Sequence, residues 1–276
     1  MNVEELGKPR QKKRLLVIGV GGGGSNAVCR MTAEWGDGPE VAVVNTDEQA
    51  LAASTVPVRV QIGRNLTLGM GAGGDASVGR LAAEDDTDLL RELVSHTDVV
   101  FVVAGLGGGV GTGAAPVIAS LAREEGALTL AFATLPFAFE GERRKQQAEE
   151  GILALRAAAD VVVCLPNERL MQQAENRVSL TDAFSKADAM VGTGIRSLWK
   201  LLTQTGIINL DFADLRQLVE NSGGSCSFGY GEGEGSNKAV GAIADILRSP
   251  LLEQGKLLAD AGGILVNIVG GPDLTL

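Results

Sequence analysis

Six glycines, Gly105, Gly107, Gly108, Gly109, Gly111 and Gly113, follow directly on an apolar run from Val99 to Ala104. A helix-like pattern begins at once behind them. A strand that feeds a glycine loop and opens a helix aims backbone N–H groups at an anion, and phosphate is the anion such loops hold. Glycine is needed there because a Cβ would hold the phosphate off and would bar left-handed turns. A second cluster, Gly19 and Gly21 to Gly24 with Asn26 behind it, ends the apolar run that starts at Leu15. A third comprises Gly69, Gly71, Gly73 and Gly74. Gly19, Gly21 and Gly24 match the dinucleotide fingerprint, and Asp47 follows the next apolar run at about the expected distance. Alone, that fingerprint would suggest NAD or FAD and an oxidoreductase. Three glycine clusters instead suit a triphosphate gripped from several sides. The absence of a Gly-x-x-x-x-Gly-Lys-Ser/Thr sequence and of kinase loop signatures argues against an ordinary P-loop NTPase and against a kinase.

Continuous β-branched runs alternate with helical patterns through most of the chain. Strands are expected at 15–19, 41–45, 58–62, 99–104, 128–134 and 161–165, with helices near 24–35, 76–95, 113–125 and 142–158. Such alternation predicts a doubly wound α/β domain, a Rossmann-like parallel sheet covered on both faces, with ligands at the carboxyl ends of its strands. Residues 179–204 read as one long helix, with Leu180, Ala183, Phe184, Ala187, Val191, Ile195, Leu198 and Leu202 at helical spacing. So dense an apolar pattern places that helix between two packed bodies, and Gly206 ends it. Beyond it come a helix near 211–221, a strand near 225–230, a flexible glycine loop at 229–235, a helix near 237–248 and a strand at 264–269. The domains expected are therefore a flexible arm at 1–13, a nucleotide-binding domain at 14–178, a central helix at 179–205 and a smaller α/β domain at 206–276. That last region is thin enough to read as C-terminally truncated.

With 276 residues the chain can bury one large core or two smaller ones. Its 34 acidic residues against 24 basic ones argue against nonspecific nucleic-acid binding. They do not argue against one nucleotide held by backbone dipoles. Cys29, Cys164 and Cys226 are widely spaced and His96 is the single histidine, so a zinc site is not expected; buried free thiols in a reducing compartment are. No apolar run approaches the roughly 20 residues that span a bilayer.

The segment Gly105–Pro116 resembles the signature loop of the tubulin/FtsZ family, in the form usual for bacterial division tubulins. Gly19–Val28, Asn45-Thr46-Asp47 and Gly69–Gly74 resemble its other phosphate loops. Pro136-Phe137-Ala138-Phe139-Glu140-Gly141-Glu142-Arg143-Arg144 resembles its ribose-side segment. Pro166-Asn167-Glu168 and Asp182-Ala183-Phe184 with Asp188 resemble its guanine-side elements. Asn209-Leu210-Asp211-Phe212-Ala213-Asp214 resembles the loop that completes a neighbouring subunit's active site. This ordered run covers roughly residues 14–276.

The resemblance implies that Gly21, Gly22, Gly23, Asn26, Asn45, Asp47, Gly105, Gly107, Gly108, Gly109, Val110, Gly111, Thr112 and Gly113 surround the phosphates. Gly71, Ala72, Gly73 and Gly74 would sense the γ-phosphate. Pro136, Glu140, Arg144 and Asn167 would meet the ribose side. Phe184 would stack on the base, and Asp188 would accept from guanine N1–H and its exocyclic amine, which favours GTP over ATP. Asp211 and Asp214, three apart on one face of a helix start, would polarise the attacking water in the next subunit, with Asn209 facing the nucleotide. The bland reading of that carboxylate pair is helix capping. GTP or GDP, Mg²⁺ held mainly by the phosphates and a monovalent cation are the implied cofactors. The implied activity is a cytoplasmic, self-assembling GTPase that polymerises head to tail, hydrolyses GTP between subunits and forms the bacterial division ring. Its partners would be its own copies, ring regulators and membrane-anchoring proteins. The alternative is a GTP-binding structural or regulatory relative with impaired polymerisation or hydrolysis. Two departures bear on rate more than on binding: Val110 stands where the family usually has Thr, and Leu135 where Lys is common.

Overall fold

The computed structural model describes residues 13–35, 38–168, 179–203, 216–217, 225–249, 252, 256–259 and 261–271. Six strands fall where the apolar runs lie: β1 (Leu15–Val20), β2 (Glu40–Asn45), β3 (Val58–Gln61), β4 (Val99–Gly105), β5 (Leu128–Leu135) and β6 (Val161–Pro166). With the two-residue β7 (Ser225–Cys226) they form a seven-stranded sheet of order β3-β2-β1-β4-β5-β6-β7. Every pairing in it is parallel. Side chains alternate between two cores, as strand geometry demands. Leu16, Ile18 and Val20 of β1 enter one core, and Leu15 and Val17 enter the other.

The helices divide accordingly. The first core takes α4 (Ala76–Asp85), α5 (Thr87–Val94), α6 (Gly109–Glu124) and α7 (Glu142–Ala158). The second takes α1 (Gly21–Trp35), α2 (Glu48–Ala53) and the long α8 (Leu180–Thr203). On α8, Ala183, Ala187, Val191 and Ile195 are buried at four-residue intervals. Phe228 and Leu265 pack onto the same cluster as its Leu198, Trp199 and Leu202, while β7, also from the chain that follows, joins the sheet beside β6.

Five expectations are corrected. Helices α1 and α6 begin at Gly21 and Gly109, inside the glycine loops, because tertiary packing outweighs the poor helix propensity of glycine. The single helix expected at 76–95 is broken at Asp86, whose carboxylate is drawn away to accept from the Gly63 N–H at 2.6 Å. Residues 264–269 form no strand: Ile264, Val266, Ile268 and Val269 are exposed, and among the described residues they have no pairing partner. The glycines at 229–235 are not merely a loose loop. The chain runs extended along a helix we number α9 (Lys238–Arg248), where a Cβ on Gly231 would collide with the Ala242 carbonyl and one on Gly233 with that of Lys238. The thiols are also less buried than expected: Cys29 and Cys164 are half-buried, and Cys226, on the edge strand, is exposed. Gly206 and most of the helix expected at 211–221 lie outside the described residues; Arg216 and Gln217 are helical.

Candidate functional site

In this sheet the chain reverses its direction of travel between β1 and β4. A doubly wound sheet opens a crevice at that point, beyond the carboxyl ends of the strands. The glycine loops that follow β1 and β4 both emerge there and interlock. The Cβ direction of Gly21 (φ +70°) ends 2.7 Å from the Gly111 nitrogen, and that of Gly23 ends 3.3 Å from the Gly105 Cα. The third loop docks alongside, its buried Ala72 filling the space left by Gly109, where a Cβ would come within 2.8 Å.

The glycines therefore separate into two kinds. Gly24 is required by the Val103 carbonyl, Gly111 by that of Gly105 and Gly113 by that of Ala76, so packing alone accounts for them. Gly22 and Gly108 differ. Neither has a positive φ, and a Cβ on either would meet nothing within 4 Å. Among the described residues nothing demands glycine at these two positions, yet they stand at the starts of α1 and α6, where N–H groups and helix dipoles favour an anion. Gly73 (φ +59°) and Gly74 (φ +76°) also face open space, in left-handed conformations.

Several expected site residues already have partners. Thr112 Oγ1 accepts from the Gly107 N–H at 2.9 Å and pins the loop after β4. Val110 is buried in the core against Gly21, so its position contributes backbone rather than side chain. Asn45 Oδ1 accepts from Thr46 N–H at 2.9 Å. Asp47 caps α2, accepting from the N–H groups of Gln49 and Ala50, and its backbone bridges to Met70 at the root of the third loop.

The ribose-side segment lies across the end of β5. Glu140 accepts from the Phe137 N–H at 2.9 Å and from Arg144 at 2.6 Å. The Arg144 backbone closes over Gly107 (φ +94°). Pro136 and Asn167 line a groove of about 330 Å³ together with Leu135 and Phe137. Three buried side-chain oxygens lack a partner among the described residues: Ser25 Oγ, Thr46 Oγ1 and Asn167 Oδ1. They follow β1, β2 and β6 respectively, so all three belong to the same edge of the sheet. Buried unpaired oxygens are uncommon and mark places where a bound group or water completes the bonding.

On the base side, Phe184 meets the buried Phe137 edge to face at 5.2 Å and remains 39% exposed. Asp188 is nearly buried and pairs with Arg30 of α1. Burial pushes its carboxyl up to about 6, while the Arg30 charge and hydrogen bond pull the other way. Gly22, Asn26 and Arg30 form one exposed line on α1 at four-residue spacing. That line is about 12 Å long at the helical rise, and it leads from the bare glycine to Asp188.

Arg30, Phe137 and Gln147 of α7 were not singled out in the sequence. Arg30 and Gln147 were legible by helical spacing, at four residues from Asn26 and three from Arg144. Asn209, Asp211 and Asp214 lie outside the described residues.

The fold is that of a doubly wound α/β protein whose glycine loops meet at the crevice beyond the carboxyl ends of its strands. The model of the Tubulin/FtsZ family GTPase domain matches residues 14–175, and that of the FtsZ family C-terminal domain matches 224–276. FtsZ from M. jannaschii, solved as an empty dimer, is 38% identical with a TM-score of 0.83, covering 91% of this chain and 72% of that one. A point mutant of the M. jannaschii FtsZ gives 38% identity and a TM-score of 0.82 over 88% and 72%. CetZ2 from Haloferax volcanii, solved as a GTPγS-bound protofilament, is similar in fold, at 24% identity and a TM-score of 0.70 over 82% and 69%. The chain belongs to the tubulin/FtsZ family of GTPases.

Proposed function

We propose that the chain binds one GTP along the crevice, assembles head to tail and hydrolyses the nucleotide between subunits, as the polymer of a bacterial division ring. The observation that carries the nucleotide reading is the pair of bare glycines, Gly22 and Gly108, at two facing helix starts. The line from Gly22 to Arg30 and Asp188 then gives a single nucleotide its direction: phosphates over the glycine loops, ribose beside Glu140, Arg144 and Asn167, and base between Phe184 and Asp188. An ionised Asp188 accepts from guanine N1–H and amine, and it repels the acceptor N1 of adenine.

Among the described residues, no group of three or more His, Cys, Asp or Glu side chains is gathered to hold a metal ion. Mg²⁺, when bound, would be carried mainly by the phosphates and would supply charge neutralisation at the leaving group. Hydrolysis adds water to the γ-phosphorus and breaks its bond to the bridging oxygen, which leaves on GDP. Phosphoryl transfer of this kind needs mainly positioning and charge stabilisation. Asp211 and Asp214 of the next copy orient the water, and Asn209 faces the nucleotide. A head-to-tail contact is open-ended and builds filaments. The dimer of the M. jannaschii FtsZ and the protofilament of CetZ2 support assembly of this kind.

The alternative, a nucleotide-binding polymer component with little hydrolysis, is favoured by one observation: Val110 offers the crevice no hydroxyl. Pelleting with GTP and with GDP, alongside phosphate release at rising protein concentration, separates the two. GTP-dependent pelleting with specific activity rising above a threshold is expected. Activity independent of concentration would sink the shared site. NAD as the copurifying nucleotide would sink the GTP reading.

A further inference from the structure

We propose that Gln147 is a positioning residue that fixes the gap between the third glycine loop and the phosphate cradle, and so governs how well a triphosphate is told from a diphosphate. The inference rests on reading the crevice as a GTP site. Gln147 projects from α7, and its amide nitrogen donates to the carbonyls of Gly108 at 2.9 Å, Gly74 at 3.1 Å and Gly107 at 3.3 Å. One amide thus ties together two loops that are 33 residues or more apart in sequence (Gly74 and Gly107). Three carbonyl oxygens around two N–H groups leave that nitrogen with no spare donor.

The orientation imposed on the backbone matters more than the number of bonds. In a trans peptide the carbonyl of one residue and the N–H of the next point in opposite directions. Holding the Gly107 and Gly108 carbonyls against α7 therefore turns the N–H groups of Gly108 and Gly109 away from it, toward the crevice. Donors preset in this way need no reorganisation when charge arrives.

The sheet order gives the third loop its particular role. With order β3-β2-β1-β4-β5-β6, the third loop is rooted beside β2 and β3, the bare glycines lie beyond the central β1 and β4, and Asn167 lies beyond β6. A nucleotide with its base at the Asn167 and Asp188 flank presents its outermost phosphate to Gly73 and Gly74. Gln147 holds that flank through the Gly74 carbonyl, so its loss falls on the γ-phosphate first.

The test compares the parent with Gln147→Leu, which keeps the shape without donors, and Gln147→Glu, which sets a carboxylate against three carbonyls. Equilibrium titrations with GDP and with a non-hydrolysable GTP analogue are run at concentrations too low for assembly, with thermal melting in parallel. Loss of two such bonds is expected to weaken the analogue about tenfold and GDP by less than about threefold, with Gln147→Glu worse than Gln147→Leu. If one variant fails to fold, the other carries the comparison. Equal weakening of both nucleotides, or unchanged affinity for both, overturns the proposal. A parent that binds neither nucleotide overturns the GTP reading itself, and the two failures are thereby distinguished.

Discussion

Arg30 on α1 donates to the carboxylate of Asp188 on α8, so the two helices on one side of the sheet are joined by an ion pair. Asp188 is nearly buried, and its carboxyl is pushed up to about 6 by burial, against the pull of Arg30. A base reader must be ionised to accept two hydrogen bonds. Guanine-nucleotide affinity is therefore expected to be level above pH 7 and to fall about tenfold per pH unit once well below 6. Titrations of GDP at pH 5, 6 and 7.5 check this; a flat profile would remove Asp188 from base recognition.

The same group affects stability in a definite direction. A carboxyl raised above its unfolded value binds protons more readily in the folded state, so its contribution is fully favourable below about 4 and is lost as pH rises through 6. Asp188→Asn removes the buried charge, and the half-exposed Arg30 keeps its solvent. The variant is expected to melt higher than the parent at pH 7, by an equivalent of about 1–2 kcal/mol, with the gap closing toward pH 4. It is also expected to lose guanine binding. Lower stability at pH 7 would mean that the ion pair outweighs the burial of its carboxylate.

The bare glycines invite a direct contrast. Gly22→Ala and Gly108→Ala add a methyl that meets nothing within 4 Å among the described residues. Both are expected to fold with unchanged or slightly raised melting temperature, since alanine loses less entropy on folding. Nucleotide affinity is nevertheless expected to fall by about tenfold or more, because the methyl takes the place of a phosphate oxygen. Gly24→Ala is the opposite control. Its methyl strikes the Val103 carbonyl, and about 1–3 kcal/mol of stability is expected to go. Melting and nucleotide titration on the three variants decide the matter, and full affinity in Gly22→Ala and Gly108→Ala would refute the cradle.

These contrasts also explain what the sequence could and could not reveal. Continuous apolar runs located β1, β2, β4, β5 and β6, because a strand buried on both faces needs little else, whereas the short edge strand β3 shows only the alternation of Val58 and Val60 with Arg59 and Gln61. The boundary at Asp86 was hidden, because it depends on Gly63, distant in sequence and close in space. Glycine content located the crevice but could not say which glycines serve packing: Gly113 and Gly22 look alike in sequence and are separated only by what lies opposite their Cβ directions. Residues 264–269 have the apolar, β-branched character of a strand, but pairing requires a neighbour that no local pattern can supply. Spacing puts Gln147 on the Arg144 face of α7, but its role lies in carbonyls of other loops, which no local pattern shows.

The extended segment before α9 carries a prediction of its own. Gly229, Gly231 and Gly233 face that helix and its neighbour Leu252 at alternate positions, while Tyr230, Glu232 and Glu234 do not share that face. Gly233→Ala drives a methyl into the Lys238 carbonyl and is expected to lift the segment from the helix. Hydrogen exchange should then quicken across residues 238–248 while the strands from β1 to β6 keep parent rates. Unchanged protection of α9 would mean that the close approach is not what holds it.

Asp211 and Asp214 offer the sharpest test of catalysis shared between copies. If they act only on a neighbour's nucleotide, Asp211→Ala and Asp214→Ala should bind GTP as the parent does and lose turnover by roughly a hundredfold or more, the scale of removing a group that positions the nucleophile. Complementation makes the test specific. A Gly108→Ala copy has a damaged cradle and intact carboxylates, and an Asp211→Ala copy has the reverse. Mixed in equal amounts, the first can complete the site of the second, so GTP turnover is expected to recover to well above that of either variant alone, and to do so only above the assembly threshold. Turnover in the mixture equal to the sum of its parts would show that each copy must supply its own carboxylates, and the head-to-tail active site would have to be abandoned.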